Sequence, residues 1–318
     1  MKKIVSLILI LTLALSSVAV LSSCGETNSY TVGICQLMDH DMLNQATEGF
    51  MDQLTKEMEA KGKTVTFDLQ IAGDANTCPT VINVFKSKNV NLIMANATPA
   101  LSSAAAAVEN IPILGTSVTD YNDTFKNGIP DNVSGTSDAV PFEDQAQIMI
   151  DTLGLVAGDK VGVIYCSAES NSQYQYEKVK EYFESKSIVV TPYTFSDPND
   201  LQAVANTAAN NSKAIYVPSD NTVSTYQNLV DSACRAKDIP VFTSYGGDIC
   251  YCSLAIDYYQ LGVETGKMAA KIHLGEADVS ELEIGYDPEP DKFYNKDVCE
   301  EIGIDISALE ALGFTEAK

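Results

Sequence analysis

The chain has 318 residues, 45% of them hydrophobic, and carries 43 Asp and Glu against 20 Lys and Arg, a formal charge of −23. This length buries two cores of ordinary domain size, and so acidic a surface repels nucleic acid and supplies no phosphate-tracking groove. The local charge of a cleft stays open, because repulsion between exposed groups is screened over about 10 Å at ordinary salt.

Lys2 and Lys3 precede an apolar run from Ile4 to Val20, followed by Leu21-Ser22-Ser23-Cys24. A charged start, a short apolar middle and small residues before a cut describe a secretory signal peptide over residues 1–23 rather than a membrane span. The tetrapeptide resembles a bacterial lipobox, which implies a diacylglycerol on the Cys24 thiol and a tethered linker at 24–29. Several acyl chains hold far better than the single chain that binds marginally, so the expected place is the extracytoplasmic face of the cell membrane. No second long apolar run follows, and no transmembrane helix is expected.

The mature chain reads as one unit written twice. Val32-Gly33-Ile34-Cys35 opens a stretch ending at Ile111-Pro112-Ile113-Leu114, and Val161-Gly162-Val163-Ile164 opens another ending at Ile239-Pro240-Val241-Phe242. In the first, Leu43, Ala46, Phe50, Leu54 and Met58 recur at helical spacing up to Lys61 and the stop residue Gly62. A strand over 64–70, a helix from Pro79 to Phe85 and a buried strand at 92–95 follow. Thr98-Pro99 then reads as an N-cap with proline at the first helical position. The second unit repeats the order: a helix at 177–183, a strand at 189–195, a helix capped by Asp197-Pro198-Asn199-Asp200, and a strand at 214–217. Pro218-Ser219-Asp220-Asn221-Thr222 starts the next helix.

Such alternation buries its strands as a parallel sheet with helices on both faces. The predicted fold class is therefore α/β, two doubly wound parallel-sheet lobes joined by a multi-strand hinge. The first lobe is expected over 30–137 plus about 255–281, the second over 138–254 plus about 282–318. Crossings are expected at Gly135 to Pro141, near Tyr245-Gly246-Gly247, and around Leu282, with the helix Tyr258 to Leu274 returning to the first lobe. Ligands of open α/β sheets bind at the carboxyl ends of the strands.

Thr98 and Ser117, at the ends of consecutive first-lobe strands, offer hydroxyls and helix-terminal N–H groups to a carboxylate. Across the cleft, Asp220 can hold an ammonium in a charge-assisted hydrogen bond, with Asn221, Thr222 and Asn171 beside it. Tyr245, Tyr174 and Leu37 are candidates for an aromatic or apolar surround. Taken singly, Thr98 is also an ordinary cap and Ser117 a loop hydroxyl. Seven cysteines remain beside Cys24, at irregular spacing. With His40 and His273 as the only histidines, no four-ligand zinc pattern forms by spacing. The thiols read as structural, and neither metal nor cofactor is expected. No nucleophile elbow, H-E-x-x-H, Walker loop or dinucleotide fingerprint occurs, so no catalytic set is nominated and an enzyme is not expected.

Ala97-Thr98-Pro99, Thr116-Ser117-Val118-Thr119-Asp120, Val217-Pro218-Ser219-Asp220-Asn221-Thr222-Val223 and Tyr258-Tyr259-Gln260-Leu261-Gly262 together resemble the solute-binding lipoproteins of ABC importers in the TrpX-like group. These have the type I periplasmic-binding-protein fold. The resemblance implies capture of an aromatic amino acid and delivery to a permease driven by an ATPase, with Thr98, Ser117, Asn171, Asp220 and Asn221 lining the cleft. Gln36 and His40 match a Q-x-x-x-H element of the group, with Asp39 where glutamate is usual. With no Trp in the chain, tyrosines such as Tyr245 would supply stacking. A nucleoside, sugar or other small solute, and a sensory ligand-binding role, stay open as alternatives because fold does not fix ligand.

Overall fold

Apolar strand segments separated by amphipathic helices bury both faces of each strand when the strands run parallel between two helical layers. The computed structural model describes residues 30–286 and 290–317, so the 1–23 leader, Cys24 and the 24–29 linker lie outside them. The first unit runs β1 (Tyr30–Gln36), α1 (Asp41–Ala60), β2 (Val65–Ile71), α2 (Cys78–Lys88), β3 (Leu92–Asn96), α3 (Thr98–Ala107), β4 (Ile113–Val118), α4 (Tyr121–Thr124) and β5 (Val133–Ser137). The second runs α5 (Phe142–Leu153), β6 (Lys160–Cys166), α6 (Ser170–Ser185), β7 (Val189–Phe195), α7 (Leu201–Asn211), β8 (Ala214–Val217), α8 (Asn221–Thr225), α9 (Gln227–Arg235), β9 (Val241–Thr243) and β10 (Cys252–Ala255). The chain closes with α10 (Tyr258–Leu274), β11 (Gly285–Tyr286), β12 (Asp291–Tyr294), α11 (Lys296–Ile302), α12 (Ile306–Ala311) and β13 (Thr315–Glu316).

The strands form two sheets, ordered β11-β5-β4-β3-β1-β2 and β13-β12-β10-β9-β8-β6-β7. All described pairings are parallel except β10 with β12. The run β2-β1-β3-β4-β5 has its counterpart in β7-β6-β8-β9-β10, so the repeat seen in the sequence is a repeat of topology. The two opening glycines have the same use: a Cβ on Gly33 would sit 2.6 Å from the Phe85 ring, and one on Gly162 2.5 Å from Ser212 Oγ. Glycine lets the second helical layer lie directly on the opening strand.

Each sheet is covered on both faces. Ile82, Phe85, Leu101 and Ala104 pack on one side of the first sheet against Ile93 and Ala95. On the other side Phe50 and Leu54 of α1 join Met268 and Ala269 of α10 over Val32, Met94 and Leu114. The return of α10 to the first lobe is thus as expected. Its contact with α1 is glycine-mediated, because a Cβ on Gly262 would fall inside the Ala46 carbonyl and one on Gly49 inside that of Tyr259. All seven cysteines of the described residues are buried, Cys35 and Cys78 in the first core and Cys252 and Cys299 in the second.

The chain passes between the sheets three times, and two passages differ from expectation. The first lies after β5, at residues 138–141, as the Gly135–Pro141 segment suggested. The second is not at Tyr245-Gly246-Gly247: the chain there continues into β10, which pairs with β9, and crosses at Ile256-Asp257. The third is later than Leu282, because Leu282 O accepts from Ser134 Oγ at 2.8 Å and β11 still pairs with β5. The first lobe therefore continues to Tyr286, and the second resumes at β12.

Candidate functional site

The carboxyl ends of the two sheets face each other and are joined by side chains. His40 Nε2 and Asn221 Oδ1 lie 3.2 Å apart, Tyr174 OH donates to Asp120 Oδ2 at 2.9 Å, and Gln175 Nε2 donates to Thr119 Oγ1 at 3.0 Å. In each pair one residue belongs to the first lobe and the other to the second. The lobes are closed on one another.

The first-lobe wall is built from two strained strand ends. Ala97, after β3, has φ 92° and ψ 154°, and Ser117, near the end of β4, has φ 54°. Left-handed backbone at a residue with a side chain costs about 1–3 kcal/mol and persists where surroundings impose it, commonly at binding sites. Here it alters the expected capping: Ala97, not Thr98, is the cap residue, with Thr98 and Pro99 already inside the first turn. The Thr98 hydroxyl is thereby freed from capping. Thr98 Oγ1 and Ser117 Oγ are both shut off from solvent and have no hydrogen-bond partner among the described residues. A buried hydroxyl left so costs about 1–3 kcal/mol.

The second-lobe wall centres on the turn between β8 and α8. Asp220 is fully buried; its Oδ1 accepts from Val223 N–H at 2.8 Å and its Oδ2 from Cys166 N–H at 2.7 Å. It caps α8 and pins it to the end of β6. Burial, then the neighbouring Glu169 charge, push the Asp220 carboxyl well above the usual carboxylate range. Glu169, 4% exposed, collects the backbone and side-chain donors of Asn221 and Thr222. No Lys or Arg ion pair among the described residues involves either carboxylate. His40 is no substitute, since burial holds its pKa below the ordinary value. Asn171 Nδ2 donates to Ser219 O at 2.8 Å, while Asn171 Oδ1 and the buried Tyr245 OH have no partner among the described residues. A narrow gap between the lobes is flanked by Thr98 and Thr119 on one side and Ser170, Asn171 and Tyr174 on the other.

Thr98, Ser117, Asn171, Asp220, Asn221 and Tyr245 therefore belong to the facing walls, with an unpartnered polar atom on Thr98, Ser117, Asn171 and Tyr245. Gln36 does not join them. Its Nε2 donates to Met38 O and Asn44 Oδ1 at 2.8 and 2.7 Å, and its Oε1 accepts from Thr47 Oγ1 at 2.7 Å, so its amide is used in shaping the β1–α1 turn. Leu37 is likewise core, packed with Leu43 and Ile82. Glu169, Thr119 and Gln175 were missed by sequence reasoning, because their partners lie more than 40 residues away in the chain.

Asp138, in the first crossing, donates no charge to an ion pair; its Oδ2 accepts from Tyr258 OH at 3.1 Å across to the second crossing. Burial raises its pKa to about 6. A carboxyl whose folded pKa exceeds its unfolded value of about 3.9 stabilises fully below that value and loses the contribution as pH rises through about 6. The ligand-free protein is expected to gain about 2 kcal/mol from Asp138 between pH 8 and pH 4. Melting curves across that range test this, with Asp138→Asn expected to flatten the rise; an unchanged slope in the variant rejects it.

A family model of ABC transporter substrate binding proteins matches residues 31–312. A tyrosine-binding protein of Clostridioides difficile (strain R20291) is 29% identical over 290 residues, 88% of this chain and 82% of the relative. An ABC domain from Streptococcus pneumonia solved in complex with L-Trp superposes with a TM-score of 0.83 at 26% identity, covering 90% of this chain and 99% of that one. The ligand-free, open structure of CD0873, a substrate binding protein with adhesive properties from Clostridium difficile, gives 0.66 at 28% identity, covering 91% and 100%. At near-equal identity the L-Trp complex fits better than the open form, in keeping with the three hydrogen bonds that join the lobes here.

Proposed function

The chain belongs to the family of ABC transporter substrate binding proteins, and from that premise we propose that its cleft captures a small zwitterion, an aromatic amino acid, for delivery to a permease and ATPase. The observation that carries this reading is the pairing of opposite needs on the two walls. Asp220 is a buried carboxyl with no Lys or Arg partner among the described residues, and facing its lobe are two hydroxyls unpartnered among them, Thr98 and Ser117, beside the N-terminus of α3. A ligand ammonium supplies the first, through a charge-assisted hydrogen bond; a ligand carboxylate accepts from the second and from helix-terminal N–H groups. Asn171 and Tyr245 contribute further polar atoms, and Asn221 links the turn to His40. The aromatic side chain is argued from the relatives, of which one is called tyrosine-binding and another was solved with L-Trp.

Binding by closure explains why the walls belong to different lobes: the ligand's two ends make favourable contacts together only when the lobes meet, so it shifts the population toward the closed form. A thermal-shift screen tests the assignment, since a ligand at 100 times its Kd adds about 2.7 kcal/mol. Stabilisation by L-tyrosine, L-phenylalanine or L-tryptophan supports it. Stabilisation only by neutral sugars or nucleosides rejects it.

The anchoring part of the reading rests on Leu21-Ser22-Ser23-Cys24. Lipid on Cys24 would hold the protein at the extracytoplasmic face of the membrane, within reach of its permease. The protein expressed with its leader in a bacterial host is expected to partition into a detergent phase, and Cys24→Ala into the aqueous phase. Equal partitioning of the two would dismiss the lipid.

A further inference from the structure

Glu169 stands between the end of β6 and the start of α6, yet all the hydrogen bonds of its side chain reach the turn after β8. Its Oε2 accepts from Asn221 N–H at 2.9 Å and Asn221 Nδ2 at 2.6 Å; its Oε1 accepts from Thr222 N–H at 2.9 Å and Thr222 Oγ1 at 2.7 Å. Four converging donors match the acceptor-only, ionised carboxylate with its roughly four lone-pair sites. An ordinary turn needs far less. A capping hydroxyl or amide would satisfy one of these N–H groups without placing a second acid beside the buried Asp220. The titratable groups facing this pair are Cys166 at the end of β6, Tyr245 after β9, and His40, itself flanked by Asp39 and Asp41. Asp39, Asp41 and Asp220 are acids, Cys166 is a thiol, and the only base, His40, is held towards its neutral form.

We propose that Glu169 is a positioning and selectivity residue: it orients Asn221 toward His40 and, as a second fixed negative charge beside Asp220, makes this wall accept a cationic amine in preference to a neutral solute. The inference rests on the reading of Asp220 as the ammonium's partner. A neutral solute cannot relieve two adjacent buried carboxyls, whereas an ammonium donates to Asp220 as the proton held there leaves to solvent. Glu169 raises both the affinity of Asp220 for that proton and the attraction for the amine that replaces it. Affinity for an amine should therefore fall as pH falls, with a midpoint that Glu169 helps to set.

The test compares wild type with Glu169→Gln and Glu169→Asp, using L-phenylalanine as probe in calorimetry from pH 5 to pH 8, and carboxyl-carbon NMR of Asp220 in the ligand-free proteins. Glu169→Gln is expected to weaken phenylalanine binding roughly 10- to 100-fold at pH 8 and to lower the Asp220 midpoint. Glu169→Asp keeps the charge at a shorter reach, and is expected to keep the raised midpoint and part of the affinity. An Asp220 midpoint unmoved by Glu169→Gln overturns the proposal, as does a Glu169→Asp protein impaired as fully as Glu169→Gln. Should wild type bind no aromatic amino acid, the ligand reading fails on its own, and the NMR comparison still decides whether Glu169 acts on Asp220.

Discussion

Asp220→Asn is expected to abolish the thermal stabilisation given by aromatic amino acids, with a loss of about 2–5 kcal/mol in binding, the range for removing one member of a buried hydrogen-bonded charge pair. That corresponds to a Kd raised roughly 30- to 5,000-fold. Asparagine keeps the shape and can still accept from Val223 N–H, so the α8 cap is largely retained. Its Nδ2 would face the Cys166 N–H, which Asp220 Oδ2 now accepts at 2.7 Å, a mismatch of two donors. Stability without ligand should suffer less than binding, because asparagine, like the protonated carboxyl it replaces, is neutral beside Glu169. Calorimetric titration with L-phenylalanine or L-tyrosine measures the effect. A variant that binds within threefold of wild type would show that the ammonium is held elsewhere.

Gly262→Ala is the second large effect, and its sign separates two rules. In an exposed helix interior, alanine for glycine stabilises by about 1 kcal/mol. At Gly262 the added Cβ would meet the Ala46 carbonyl carbon at 2.8 Å and Phe50 N at 2.9 Å. These are backbone atoms of α1 that no rotamer change can move aside. Forcing α10 and α1 apart opens the layer in which Phe50, Met94 and Met268 pack, and overpacking of this kind costs about 1–3 kcal/mol, occasionally more. The net expectation is destabilisation, seen as a fall in Tm of roughly 2–8 °C for a protein of this size. A Tm equal to or above wild type would show that the helix pair has room to separate freely.

The architecture was legible because its signals are local. Strand alternation, the helical recurrence of Leu43, Ala46, Phe50, Leu54 and Met58, and the two opening glycines each lie within one element or one repeat. The crossings were less so. Gly246-Gly247 looks like a hinge, but Cys252 and Ser253 of the β10 strand that follows still pair with β9, and a two-residue strand such as β11 carries no periodicity to read. At the site, Thr98, Ser117 and Asp220 could be picked out because strand ends in this fold point at the cleft. That the Gln36 amide is taken up by Asn44 and Thr47 is not legible, because these come near only once α1 folds back on β1. Glu169 was missed because its four donors are 52 and 53 residues away, and a lone acid before a helix reads as solvated surface.

The placement of α10 also bears on the order in which the molecule assembles. Val32, Phe50 and Met94 share a core with Met268 and Ala269, so the lobe begun by β1 cannot be completed until more than two hundred further residues have been made. The second lobe waits in the same way, because Tyr294, Val298, Leu309 and Phe314, all made after α10, share its core with Val163 and Tyr216. Sequence-distant contacts form slowly because loop closure precedes their reward. Neither lobe is therefore complete before the last third of the chain has been made, and until α10 arrives the first presents one bare apolar flank to whatever accompanies the chain.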